Sequence, residues 1–111
     1  IGHGVQAIQD EKVVRRLVNE KIPLELCPTS NWLTQAVPDL ASHPLKQLMD
    51  LGIKTTINSD DPGVMGISLM DEYQIAHKTL GMSIGELKRC NSWAAEVSFI
   101  PKEKKDLVWA K

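Results

Sequence analysis

The sequence predicts an α/β fold with parallel strands. Short apolar or β-branched runs alternate with stretches of helical period, in the order strand end, helix, strand, helix, strand, helices. Such alternation implies parallel pairing through right-handed crossovers. Each strand-like run also gives onto a polar motif: His3 after Ile1-Gly2, Thr29-Ser30-Asn31 after Leu24-Glu25-Leu26-Cys27, and Asp60-Asp61 after Ile53-Lys54-Thr55-Thr56-Ile57. The C-terminal ends of parallel strands are where α/β sheets and barrels gather their active sites. Loops distant in sequence are therefore expected to converge on one pocket.

Taken in order, Ile1-Gly2-His3-Gly4 reads as a strand end opening into a loop. Flanking glycines let backbone approach a ligand or take positive φ, although a glycine-rich turn with an incidental histidine has the same spelling. Asp10 to Lys21 is an amphipathic helix capped by Asp10, with Val13, Val14, Leu17 and Val18 inward. Pro28 stops the next strand, and Thr29-Ser30-Asn31 reads as a polar loop. Trp32 to Ser42 has no clear period, and Trp32, Leu33, Val37 and Leu40 are expected to tuck against the body.

A second helix opens at His43-Pro44-Leu45, with Ser42 or His43 as a surface cap and Gly52 as its stop. The strand that follows should run to the acidic pair and halt at Pro62, which lacks an N–H. If Asp60 and Asp61 keep strand geometry they point to opposite faces, one toward a metal and one toward a ligand. An Asx turn capping the strand is the plainer alternative. Ile67 to Leu80 is expected to be mostly helical, with Leu69, Met70, Tyr73, Ile75 and Ala76 on its inner face and Gly81 at its end. His77 within it is solvated or half-buried. Ser83 and Glu86 form a capping box for a helix running through Cys90 and Trp93 to Val97. Lys102 to Lys111 is a charged final helix anchored by Leu107, Val108 and Trp109.

Composition excludes more than it assigns. A net charge of −1 gives no electrostatic footprint for nucleic acid or a membrane surface. No apolar run approaches the ~18 residues of a membrane span. Cys27 and Cys90 are far apart and outside any C-x-x-C pair, which suits reduced thiols in a cytoplasmic protein. The opening at Ile1-Gly2-His3-Gly4 reads as a piece of something longer.

Gly2-His3-Gly4, Cys27-Pro28-Thr29-Ser30-Asn31 and Asn58-Ser59-Asp60-Asp61-Pro62, in this order and spacing, resemble the adenosine deaminase family. Asp71-Glu72-Tyr73 and the stretch from Asn91 through Ser98-Phe99 extend the resemblance over essentially the whole chain. It implies a zinc-dependent aminohydrolase on a (β/α)8 TIM barrel. Residues 1–111 would be its C-terminal segment, strands six to eight with their helices, and not a complete domain. It implies one Zn2+ per active site, with Asp60 as its carboxylate ligand. His3 would orient the zinc-activated water for attack at C6 of the purine, and Asp61 would hold the base at N7. Three histidine ligands and a proton-shuttling Glu would come from earlier strands, and neither cysteine would bind zinc.

The implied reaction is hydrolysis of adenosine, and of 2′-deoxyadenosine, to the inosine product and ammonia in purine salvage. The partners are then a purine nucleoside and the rest of the same barrel, with no nucleic acid and no membrane. Lacking most zinc ligands, the segment alone is expected to be inactive, and its open sheet edge and bare helix faces favour aggregation. Gly2 ahead of His3 resembles the adenosine enzymes; related adenine deaminases carry an acid there. Adenine deaminase or another purine aminohydrolase is the alternative within the class, and a non-catalytic α/β binding module the alternative outside it.

Overall fold

The computed structural model describes residues 1–109. Its centre is a narrow parallel sheet. Strand β1 (Leu24–Leu26) pairs in parallel with β2 (Thr55–Ile57), in the register Leu24↔Thr55, Glu25↔Thr56, Leu26↔Ile57. On the other side of β1 the segment Ile1–His3 adds a third extended piece. Gly2 bridges Glu25, the Glu25 N–H donates to the Ile1 carbonyl at 2.9 Å, and the His3 N–H donates to the Glu25 carbonyl at 2.8 Å. Three extended segments thus lie side by side in chain order, joined by helical crossovers, as an α/β chain requires.

The first crossover is a 3-10 turn, Val5–Gln9, followed by helix α1 (Glu11–Asn19). Asp10 caps α1 as its sequence promised, accepting from Lys12 N–H at 2.8 Å and Val13 N–H at 3.3 Å. Helix α3 (Leu45–Asp50) stands before β2 and ends against Gly52 at φ 97°. After β2 come a single turn α4 (Pro62–Met65), then α5 (Leu69–Lys78), α6 (Ile84–Val97) and α7 (Lys102–Val108). Ser83 and Glu86 close the capping box on α6, and a second box, Ser68 with Asp71, opens α5. Leu24, Leu26, Leu45, Leu48, Ile53 and Cys90 form the core, with α6 packed on β2. Burying each leucine contributes roughly 1.5–3 kcal/mol.

Several expectations fail for identifiable reasons. Thr29-Ser30-Asn31 is not a loop: Pro28 occupies the first position of helix α2 (Pro28–Leu33), where its missing N–H costs nothing, and all three polar residues are buried. Strand β2 ends at Ile57, so Asp60 and Asp61 are not in strand geometry. Asp60 has φ 56°, in the left-handed region, and Asp61 caps α4 without a side-chain bond. The N-cap of α3 is Pro44 rather than Ser42 or His43, and His43, whose Nδ1 accepts from the Leu45 N–H, is buried, not on the surface. On α5 the fully buried side chains are Glu72 and Ala76, whereas Leu69 and Met70 are exposed, as are Trp32, Leu33, Leu107 and Val108. The final helix stops at Val108, and the expectation for residues 110–111 lies outside the described residues.

Candidate active site

The carboxyl-terminal mouths of the three extended segments do meet. His3 follows directly on the Gly2 bridge, with φ 57°, and Gly4 behind it has φ 74°. A Cβ on Gly4 would lie 2.8 Å from Leu24 Cδ2, so any side chain here is strained and must displace that leucine. That tight turn aims the imidazole across the mouth of the sheet, where His3 Nε2 lies 3.8 Å from Asp60 Oδ2. Both side chains are partly open to solvent, and both line two adjoining clefts of about 660 and 540 Å³. The larger is walled by Val5, Leu17, Leu24 and Asn31, the smaller by Cys27, Asn58, Tyr73 and Trp109.

Helix α2 holds both groups from beneath through adjacent residues. Ser30 Oγ donates to Asp60 Oδ2 at 2.7 Å, and Asn31 Nδ2 lies 3.2 Å from His3 Nδ1. Asn31 Oδ1 in turn meets His43 Nε2 at 2.9 Å, and His43 Nδ1 accepts from the Leu45 backbone N–H at 3.1 Å. Burial lowers the His43 pKa to about 4, so the ring is neutral at physiological pH. The first turn of α2 is fixed from a further side: buried Glu72 on α5 accepts from the Thr29 N–H at 3.0 Å.

Of the residues singled out from the sequence, His3 and Asp60 come together. Asp61 is exposed beside them and lines neither cleft. Cys27 joins the group: one ligand atom each from His3, Cys27 and Asp60 lies within 4.8 Å of the others. Burial, with the Asp60, Glu72 and Glu25 carboxylates nearby, pushes the Cys27 thiol up to about 12. The side chain is therefore a thiol at neutral pH. Ser30 and Asn31 belong to the polar motif expected to converge on the pocket, but their roles, and the involvement of His43, were not anticipated. The overlooked signal was Pro28, which marks a helix start and so puts residues 30 and 31 on a rigid first turn.

The donor chemistry fits a zinc in part. A carboxylate and an imidazole face the same opening, and Asp60 keeps lone pairs beyond the one that Ser30 engages. A catalytic zinc takes three protein ligands and an open position. The other two histidines are engaged elsewhere, His43 as above and His77 Nδ1 with the Met82 carbonyl at 2.7 Å. The described residues thus supply one corner of such a centre.

A family model described as adenosine deaminase matches residues 1–110. The chain is 44% identical over 110 residues to an adenine deaminase of Sinorhizobium medicae, covering 99% of this chain and 34% of that protein. It is 41% identical over 105 residues to an adenosine deaminase of Escherichia coli O1:K1 / APEC, covering 95% and 32%. The solved adenine deaminase of Arthrobacter aurescens superposes with a TM-score of 0.90 at 36% identity, over 96% of this chain and 33% of that one. A Burkholderia ambifaria amidohydrolase solved with bound Zn shares the fold at a TM-score of 0.81 and 23% identity, over 97% and 31%. The chain spans about a third of the length of the curated relatives it matches. Its strands and helices are a segment of the TIM barrel of these enzymes, as the sequence had suggested. No helix among the described residues is long and apolar enough to cross a membrane.

Proposed function

The chain belongs to the adenosine deaminase family, and from that premise we propose that it is the C-terminal segment of a single zinc-dependent barrel that hydrolyses adenosine to inosine and ammonia. The observation that carries this is the meeting of His3 Nε2 and Asp60 Oδ2, 3.8 Å apart, at the mouths of the two extended segments that flank β1. A bound zinc supplies Lewis acidity, which makes water a nucleophile near neutral pH.

The residues of this chain do the rest. Asp60 offers carboxylate oxygen to the cation, and the Ser30 hydroxyl fixes the direction in which it does so. His3 presents its Nε2 to the opening, 3.8 Å from Asp60 Oδ2. A positioned imidazole of this kind hydrogen-bonds the attacking water and orients it. Asp61, exposed on the rim, holds the purine base in the orientation that brings C6 to the water. Water adds across C6, the amino group leaves as ammonia, and the ring keeps a carbonyl. The zinc, the purine nucleoside and the remaining barrel are the partners of this reading.

A second reading is favoured by a specific likeness: both the Sinorhizobium relative and the Arthrobacter structure are adenine deaminases. Gly2 bears on the choice. A Cβ there would meet only Glu25 Oε2, at 3.9 Å, so the backbone does not demand glycine and the residue is open to selection by substrate. We favour the nucleoside on that ground. The test is steady-state turnover of adenosine against adenine by the full-length protein, with metal analysis before and after chelation. Adenosine should be preferred, zinc should be present near one per chain, and both zinc and activity should go with Asp60→Ala. Equal or better turnover of adenine moves the assignment to the second reading. Zinc and deamination that survive Asp60→Ala remove the role given to that carboxylate.

A further inference from the structure

The network beneath the site has a direction, and it is set far from the reacting atoms. A backbone N–H can only donate, so His43 Nδ1, 3.1 Å from the Leu45 amide nitrogen, must be an unprotonated acceptor. The proton of the neutral His43 ring then sits on Nε2, which donates across 2.9 Å to an oxygen of Asn31. That assigns the Asn31 amide: Oδ1 faces His43, and the NH₂ group faces His3. The NH₂ group can only donate, so His3 Nδ1, 3.2 Å away, must accept. Each polarity follows from the previous one, and the chain begins at a peptide group that cannot reverse.

We propose that Asn31 and His43 are positioning residues that hold His3 in the tautomer with Nδ1 bare and the proton on Nε2, facing Asp60 and the cleft. The inference rests on the deaminase reading for its meaning, since it says which nitrogen of His3 meets the chemistry and in what state. The relay is rigid enough for the task. Asn31 and His43 are 3% and 4% exposed, Asn31 lies on the anchored first turn of α2, and His43 is pinned at the start of α3. At the joint between His43 and Asn31 both partners are buried and water does not compete, whereas the joint between Asn31 and His3 is part-buried. His43 stays neutral through the physiological range, since burial holds its pKa near 4, so the relay keeps its direction there. A ring whose far nitrogen is committed in this way cannot exchange its tautomer without breaking its hydrogen bond to Asn31.

The test uses the full-length, zinc-loaded protein with 15N-labelled histidine rings. Two-bond proton–nitrogen spectra distinguish protonated from bare ring nitrogens, and His3→Gln and His43→Gln assign the signals by loss. Both His3 and His43 are expected as neutral rings with the proton on Nε2. Asn31→Asp places only acceptors opposite His3 Nδ1 and should move the His3 proton to that nitrogen. Its kcat should fall about 10–100-fold, the usual scale for partners behind a working ligand, with KM and zinc content near the parent values. His43→Leu should release the Asn31 amide and spread His3 over both tautomers. His43→Gln retains an N–H donor and should recover part of the rate. A parent spectrum with His3 protonated on Nδ1 overturns the proposal, as does a His3 ring unmoved by Asn31→Asp and His43→Leu. Where a variant fails to fold, the parent spectrum alone decides. A parent protein without zinc or deamination would defeat the deaminase reading instead, and the ring spectra would still judge the relay.

Discussion

His3 and Asp60 are held by neighbours on one helical turn, and Asp61 is held by nothing comparable. That contrast separates what their removal should do. His3→Ala in the full-length protein should lower kcat by about 10²-fold, the scale of a lost acid–base or positioning group, while zinc content stays within a few per cent of one per chain. Rate constants and metal analysis on one sample check this; zinc loss in parallel with rate would make His3 a ligand instead. Asp61→Ala should act on substrate capture. The side chain is exposed and makes no cap bond on α4, so stability should stay within about 0.5 kcal/mol of the parent. KM should rise more than kcat falls, and an unchanged KM would remove the residue from the purine contact. At this scale the sequence was readable where backbone chemistry is loud: glycines about a histidine, and paired acids before a proline. Asn31 was marked by its motif, but its link to His43 was silent, because an ordinary histidine before a helix carries no spacing signal for a side-chain relay.

Elements decide how firmly that turn is held. Helix α2 is six residues long and has no side-chain cap from Cys27, so its first turn depends on help from elsewhere. Glu72 on α5 provides it by accepting from the Thr29 N–H. Glu72→Ala should leave that buried donor unpaired at about 1–3 kcal/mol. Urea unfolding of the full-length protein measures the loss, and the same variant should be slowed in turnover through Ser30 and Asn31. A midpoint equal to the parent's would show that α2 stands unaided. The α5 surface also shows why periodicity misled. Of the expected inner face Ala76 is buried and Tyr73 packs on the core, but Leu69 and Met70 are exposed and the carboxylate of Glu72 is buried one turn before Ala76. Asp10, Gly52, Gly81 and the Ser83–Glu86 box were legible because caps and stops are local chemistry. The Ser68–Asp71 box was missed because Asp, rather than Glu or Gln, closes it.

For the molecule as a whole, His43 links the site to pH. Its folded pKa is near 4 through burial, against 6.5 for the free ring, so between those values the unfolded chain binds a proton that the folded chain refuses. Stability from this group is complete above pH 6.5 and falls as pH drops through the window. At 1.36 kcal/mol per pH unit the loss is about 2 kcal/mol by pH 5 and about 3 by pH 4. Urea midpoints at pH 7 and pH 5, compared with those of His43→Gln, isolate this contribution; an identical pH slope in both proteins would deny it. The whole-chain architecture was the most legible level of all, since alternation of strand and helix needs only pattern. What pattern could not show is which apolar surfaces this chain leaves bare. Leu69, Met70, Phe99, Leu107 and Val108 look like core residues in any local window and are exposed in the structure.

The glycine behind the imidazole has one more consequence. Position 4 combines a backbone twist of φ 74° with a Leu24 methyl 2.8 Å from where a Cβ would stand. Leu24 begins the strand whose next residue, Glu25, receives the His3 amide, so a single added carbon would push on the same framework that aims the ring. Gly4→Ala should therefore behave as a conditional allele: near-parental turnover in the cold, and abrupt loss on mild warming as the displaced leucine loosens its strand. A melting curve run alongside an activity-versus-temperature profile would reveal it, with no polar or charged group altered anywhere in the protein.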